Sequence, residues 1–260
     1  MHTGHQHQGR HRDRGRRPRH CVIEWVEGAH VRGSDLAVVQ VVLLGKQLGR
    51  IHRALAVYAP APVPAAPPGA EVTGAAKAVE AADRYLATVA ALHAPRAFDR
   101  CVAQAMEARK QLLEKYADLR PLGDVPAGPY GWTHGDFQFR NIVWRNGQVA
   151  AVLDWDRLRV RPYAEEVTRT AQVQFGVGGR FDLERVSAFL SGYRTVVDLS
   201  VEDLADGVQR LWWKRMTDFW QLSFHYQRGD NAFDDLFLHD EALLLWWTHR
   251  LDQVRAAITR

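Results

Sequence analysis

Three polar side chains in the stretch 133–156, THGDFQFRNIVWRNGQVAAVLDWD, have the types and spacing to do chemistry together. Asp136 is followed five residues later by Asn141, and Asp154 stands at the end of a short apolar run. Asn146-Gly147 lies between two segments rich in β-formers, the strongest short-range signal for a tight hairpin. Strands over 141–145 and 148–153 are therefore expected, and their pairing gathers Asp136, Asn141 and Asp154 at one end. One carboxylate can take a hydroxyl proton there, while an amide and a second carboxylate offer oxygen to Mg²⁺. Phosphoryl transfer needs that set of groups.

The joint pattern is more specific than any of its parts. His134-Gly135-Asp136, four residues, Asn141, then an apolar strand ending in Asp154-Trp155-Asp156 resembles the aminoglycoside phosphotransferase and choline kinase-like family, small-molecule kinases related in fold to protein kinases. Gly135 stands where protein kinases carry Arg, Gln138 where they usually carry Lys, and Asp154-Trp155-Asp156 replaces D-F-G. These departures point to the small-molecule branch. The resemblance implies an α+β, mainly helical fold: a protein-kinase-like large lobe with a short catalytic β-hairpin. It implies ATP or GTP as donor, Mg²⁺ as cofactor and a small-molecule hydroxyl as acceptor. Asp136 is then the base, Asn141 and Asp154 the metal ligands, and His134 and Asp156 supporting residues.

The elements that must position these groups begin at Cys21. The segment 22–28, VIEWVEG, reads as a hinge strand, where the resemblance implies that the backbone at Glu24 and Val26 would bond adenine; a plain edge strand is the other reading. The resemblance also implies a small β lobe before the hinge, with a phosphate-covering loop and a lysine. Only about twenty residues precede it here, and the first lysine is Lys46. Most of the small lobe is therefore expected to be missing, either because the recorded start lies inside a longer gene or because the gene is truncated. The second case makes the chain a catalytically inactive lobe serving as a binding or interaction module.

Charge has to be read by region. The net +4 comes from the first twenty residues, which hold six Arg and one Asp, so the body is near neutral and does not suggest a nucleic-acid partner. That tail, 1–20, has no aliphatic or aromatic residue beyond Met1 and is expected to be disordered; a phosphate-touching arm or a weak metal site is the alternative use. Cys21 and Cys101 are isolated, which suits neither a disulfide framework nor zinc and makes a reducing cytoplasm the simplest setting. No apolar run approaches the ~20 residues of a membrane span.

Residues 21–260 are expected to form one phosphotransferase domain with a helical lobe over 34–260. Ser34 should cap a helix over 35–54, and His52 on it is either a ligand or a packed residue. Five prolines make 57–70 a loop; helices follow over 71–93 and 97–119. After Asp156, residues 157–163 read as a basic loop, and Glu165 and Glu166 open a helix, either supporting the catalytic loop or complementing the helix dipole. Further helices are expected over 182–196, 200–226 and 235–258. The second is capped by Ser200 with Asp203 three residues on. Five of nine Trp fall between 212 and 247 and read as core or as a substrate wall; Asp230, Asp234, Asp235 and Asp240 suit a polycation or a solvated face.

Overall fold

The computed structural model describes residues 24–59 and 61–260. The expected disordered tail, Cys21 and the first two residues of the expected hinge strand lie outside them. Nine helices are described: α1 Val38–Tyr58, α2 Ala75–Ala90, α3 Ala97–Lys115, α4 Tyr163–Phe175, α5 Leu183–Arg194, α6 Val201–Thr217, α7 Trp220–Arg228, α8 Asp234–Thr248 and α9 Leu251–Thr259. Six short strands join them: β1 Tyr130–Thr133, β2 Ile142–Arg145, β3 Gln148–Val152, β4 Arg159–Pro162, β5 Gly176–Val177 and β6 Arg180–Phe181. They form three antiparallel ribbons, β1 with β4, β2 with β3 and β5 with β6. The chain is thus mainly helical with small sheets, as expected.

The hairpin folds as its turn dictates. Asn146 and Gly147 both have positive φ, 52° and 74°, the conformation of the I′ turn whose twist matches the strands it joins. A register shift between Val143 and Trp144 leaves Ala150 unpaired, and on its other edge Trp144 exchanges 2.8 Å backbone hydrogen bonds with Ala29. The described part of the expected hinge strand, residues 24–28, carries no ladder; pairing begins only at Ala29.

The core lies where α1 crosses α5. A β-carbon on Gly45 would stand 2.0 Å from the Phe189 carbonyl oxygen, and one on Gly192 would stand 2.1 Å from that of Val42, so the two helices touch backbone to backbone. Val41, Leu44 and Leu48 meet Phe189, Leu190 and Tyr193 in the main core, which continues through Trp212, Trp213 and Trp247. These three indoles are buried, so the core reading holds for them, while Trp220 and Trp246 are half-buried. Trp212 Nε1 donates to Thr248 Oγ1 and Trp213 Nε1 to the Thr73 carbonyl, which satisfies the one polar atom each ring carries.

Several boundaries differ from expectation. Ser34 bonds Asp35 and does not cap α1; the Gln40 side chain instead accepts the Ala37 N–H at 2.9 Å and starts the helix there. Helix α2 begins at Ala75 because Asp124 holds the Val72 N–H in extended chain. The expected long helix over 200–226 breaks between α6 and α7, where Asp218 accepts the Trp220 N–H and Phe219 turns into a second core with Met106, Leu222 and Phe237. The last helix likewise breaks at His249 and Arg250. The 157–163 loop contains β4: Leu158, Val160 and Pro162 alternate with Arg157, Arg159 and Arg161, a strand period that the basic-loop reading passes over. The Ser200–Asp203 box is present as expected, with both bonds at 3.0 Å.

Candidate active site

The loop between β1 and the hairpin starts from a sterically fixed turn. Gly135 has φ +83°, and a β-carbon there would stand 2.3 Å from the Arg157 carbonyl oxygen, a backbone atom that cannot rotate away. Gly135→Ala is therefore expected to cost about 1–3 kcal/mol from the backbone conformation alone, and more through the clash. A urea midpoint equal to wild type would show that the loop yields freely.

His134 ties the loop to the hairpin. The Asp136 N–H donates to its Nδ1 at 3.2 Å, so Nδ1 carries no proton and Nε2–H donates to the Leu153 carbonyl at 3.0 Å. Burial pushes the ring's pKa below the usual histidine value, against the pull of the Leu153 carbonyl and the neighbouring carboxylates, and so favours this neutral tautomer. One imidazole thus fastens the backbone of Asp136 to the residue preceding Asp154. A further bond, Leu153 N–H to the Asn141 carbonyl at 2.8 Å, extends the hairpin and brings Asn141 beside Asp154. These bonds tie the backbones of Asp136, Asn141 and Leu153 together.

Asp136 is 7% exposed, and its two oxygens face different partners. Oδ2 accepts from Gln138 Nε2 at 2.9 Å and from Asn141 Nδ2 at 3.4 Å, while Oδ1 accepts from Arg169 Nη2 at 2.9 Å. Burial alone would raise its pKa, but the hydrogen bond and charge of Arg169, with Gln138 and Arg157, more than offset that and hold it below the usual carboxylate range. The group is an anion at neutral pH. Asn141 spends its Nδ2 on the Asp136 carbonyl at 2.9 Å, which leaves Oδ1 as its oxygen for a cation.

Asp154 sits at φ 60°, in the left-handed region that Asp tolerates better than most residues, and its carboxylate is exposed. Asp156 is exposed as well, and neither carboxylate has a hydrogen-bond partner among the described residues. Trp155 packs on His134 at 4.5 Å and donates to the Val152 carbonyl. No group of three or more His, Cys, Asp or Glu gathers for an ion among the described residues. One amide oxygen and one free carboxylate nevertheless fit Mg²⁺, a hard cation that keeps waters and shares its shell with substrate phosphates.

Of the two acids opening α4, Glu166 supports the loop. It is buried, and it accepts the His134 N–H at 3.1 Å, a short bond from the Gly135 N–H, and one from His52 Nε2 at 2.6 Å. Burial would raise its pKa; His52 and the Gly135 amide reverse that and hold it lowered. His52 is a packed residue, stacked on Tyr163 at 4.4 Å with Nδ1 bonded to the Tyr193 hydroxyl at 2.7 Å. Arg161 and Arg169, both bonded to the Gly135 carbonyl, were not anticipated. Arg169 was the findable one, since a residue three positions after Glu166 lies on the same side of a helix.

A model of the phosphotransferase enzyme family matches residues 2–199. Among solved structures, an aminoglycoside phosphotransferase from Alicyclobacillus acidocaldarius subsp. acidocaldarius DSM 446 is similar at 14% identity and a TM-score of 0.57, covering 90% of this chain and 68% of that one. Others are a macrolide 2'-phosphotransferase from Brachybacterium faecium (18%, TM-score 0.40, 82% of this chain and 61% of that one) and a choline kinase from Cryptosporidium parvum Iowa II (12%, TM-score 0.43, 90% and 70%). The first likeness shows the fold. The chain spans about two thirds of the length of these proteins. No curated protein matches it.

Proposed function

The chain belongs to the phosphotransferase enzyme family, and on that premise we propose that it transfers the γ-phosphoryl group of ATP or GTP to a hydroxyl of a small molecule. The observation that carries this reading is the state of Asp136. It is a nearly buried anion, aimed by Gln138, Asn141 and Arg169, at the end of a hairpin that also delivers Asp154.

Asp136 accepts the acceptor's O–H hydrogen bond and orients the hydroxyl oxygen towards the γ-phosphorus. As the new P–O bond forms and the bond to the nucleoside diphosphate breaks, the hydroxyl proton passes to Asp136. A carboxylate held below its usual pKa is a weak base, which suits a loose transition state in which the proton leaves late. Asn141 Oδ1 and the Asp154 carboxylate would hold Mg²⁺, which would supply positive charge against that of the phosphates. His134 stays neutral and keeps the loop in register; Asp156, two residues after Asp154, supports either the metal or the loop. Adenine would lie along residues 24–28, where Glu24 and Val26 make no backbone hydrogen bond among the described residues.

The test is Asp154→Ala. Magnesium-dependent nucleotide binding, followed by calorimetry, is expected to weaken by about 100-fold or more, because a directly liganding carboxylate is lost where even outer-shell partners are worth 10–100-fold. A magnesium titration indistinguishable from wild type would end the assignment.

A further inference from the structure

We infer that the acceptor carries an anionic group, a carboxylate or a phosphate ester, which Arg161 and Arg169 hold beside Asp136. This rests on the phosphotransfer reading and names the class of substrate for the same site.

The two oxygens of Asp136 mark two sides of the loop. Oδ2 faces Gln138 and Asn141, the side of the proposed metal ligands, and Oδ1 faces Arg169. On that second side Arg161 Nη1 and Arg169 Nη1 converge on the Gly135 carbonyl at 3.3 and 3.4 Å. Strand β4 has a two-residue period, so Arg159 projects from the same face of the ribbon as Arg161. Arg157 is close enough for its charge to act on Asp136, and Arg159 and Arg169 close enough to act on Arg161.

These cations are poorly matched by the protein itself. Among the described residues, Arg157, Arg159 and Arg161 form no ion pair, as most arginines outside Arg109, Arg169, Arg185, Arg210 and Arg215 do not; what sets Arg161 apart is its burial. Arg161 is half-buried, its Nε is buried without an acceptor, and one long bond to Gly135 is its only hydrogen bond. Glu165 lies near enough to act on Arg161 but does not pair with it, and Glu166 is spent on His52 and two backbone amides. A half-buried guanidinium whose buried Nε has no acceptor carries a cost that an anionic ligand would relieve by paired N–H···O bonds.

A polycationic acceptor fits less well. It would set its ammonium groups against this cluster.

The experiment measures phosphoryl transfer from labelled Mg-ATP to compounds matched in skeleton and differing in charge. The carboxylates are glycerate and gluconate, the phosphate esters glycerol phosphate and glucose phosphate, the neutral set glycerol and glucose, and the cations serinol and glucosamine. At least one anionic class is expected to exceed its neutral and cationic counterparts by about tenfold or more in kcat/KM, and which class does so separates carboxylate from phosphate. Arg161→Gln is expected to lower the anion-to-neutral ratio by about 10- to 100-fold, the range for hydrogen bonds to charged groups. Arg161→Lys should recover part of it, with the KM for Mg-ATP unmoved and the thermal midpoint of each variant reporting its fold. Neutral or cationic compounds phosphorylated as fast as the acids would overturn the inference while leaving phosphotransfer intact. It would also fall if Arg161→Gln raised the KM for Mg-ATP and spared the ratio, since that places the arginine on donor phosphates. Transfer to no compound would remove the phosphotransfer reading itself, and this inference with it.

Discussion

Asp136→Asn is expected to lower kcat by about 10²- to 10⁴-fold, the usual worth of a positioned proton acceptor, while nucleotide affinity stays close to wild type. The substitution is nearly isosteric, so Gln138 can rotate its amide to meet the new side chain and the Arg169 bond to Oδ1 persists in shape. What disappears is the negative charge and the place for the proton to go. Asn141 still donates to the residue 136 carbonyl, and the hairpin that presents Asp154 is untouched. Binding and chemistry should therefore separate, a split a merely structural role would not produce. The low pKa of Asp136 adds a pH signature, because the group remains ionised down through the ordinary carboxylate range near ~3.9. No acid limb in kcat attributable to this residue should appear at or above that pH. Single-turnover transfer at wild-type rate in Asp136→Asn would remove the base assignment.

What could be foreseen follows physical range. The hairpin was legible because its turn chemistry is local: Asn146-Gly147 can hardly do anything else, and the predicted strands over 141–145 and 148–153 end within a residue of those observed. The Ser200–Asp203 box is equally local. Strand β4 was legible in part, since Leu158, Val160 and Pro162 alternate with arginines, but its pairing was not, because its partner β1 lies far back in sequence. The helix breaks at Asp218 and His249 are tertiary choices, made by packing and not by propensity. At the site, Asp136, Asn141 and Asp154 came from type and spacing. The partners that set their charge state, Glu166 with His52 and Asp136 with Arg169, are joined across elements by contacts that no spacing along the chain encodes.

Glu166→Ala is expected to destabilise the fold by about 3–5 kcal/mol, the cost of removing one partner from a buried charge-bearing pair. The loss is compound: His52 Nε2, the His134 N–H and the Gly135 N–H all lose their acceptor inside the core, and each unmet donor carries a desolvation cost of its own. Glu166→Gln, which keeps one accepting oxygen and the shape, should lose less. The pH dependence distinguishes this from a simple cavity. Glu166 has a folded pKa below its unfolded one, so the unfolded chain takes up the proton first as pH falls. Its contribution is present above the ordinary value near ~4.3 and drains away as pH drops through the lowered one; Asp136 behaves alike. His134 is also lowered, and again the unfolded state protonates first, so its share is full above ~6.5 and declines below it. His239 has the opposite sign: its bond to Asp240 raises its pKa, so it adds stability as pH falls and offsets part of the His134 loss. Wild-type stability, from urea unfolding at a series of pH values, should therefore fall in two stages, a shallow one beginning near ~6.5 and a steeper one below ~4.3. In Glu166→Ala the lower stage should shrink and the upper remain. A variant as stable as wild type, with the acid stage undiminished, would show that the carboxylate does not hold the catalytic loop, and that the turn at Gly135 is shaped by the chain itself.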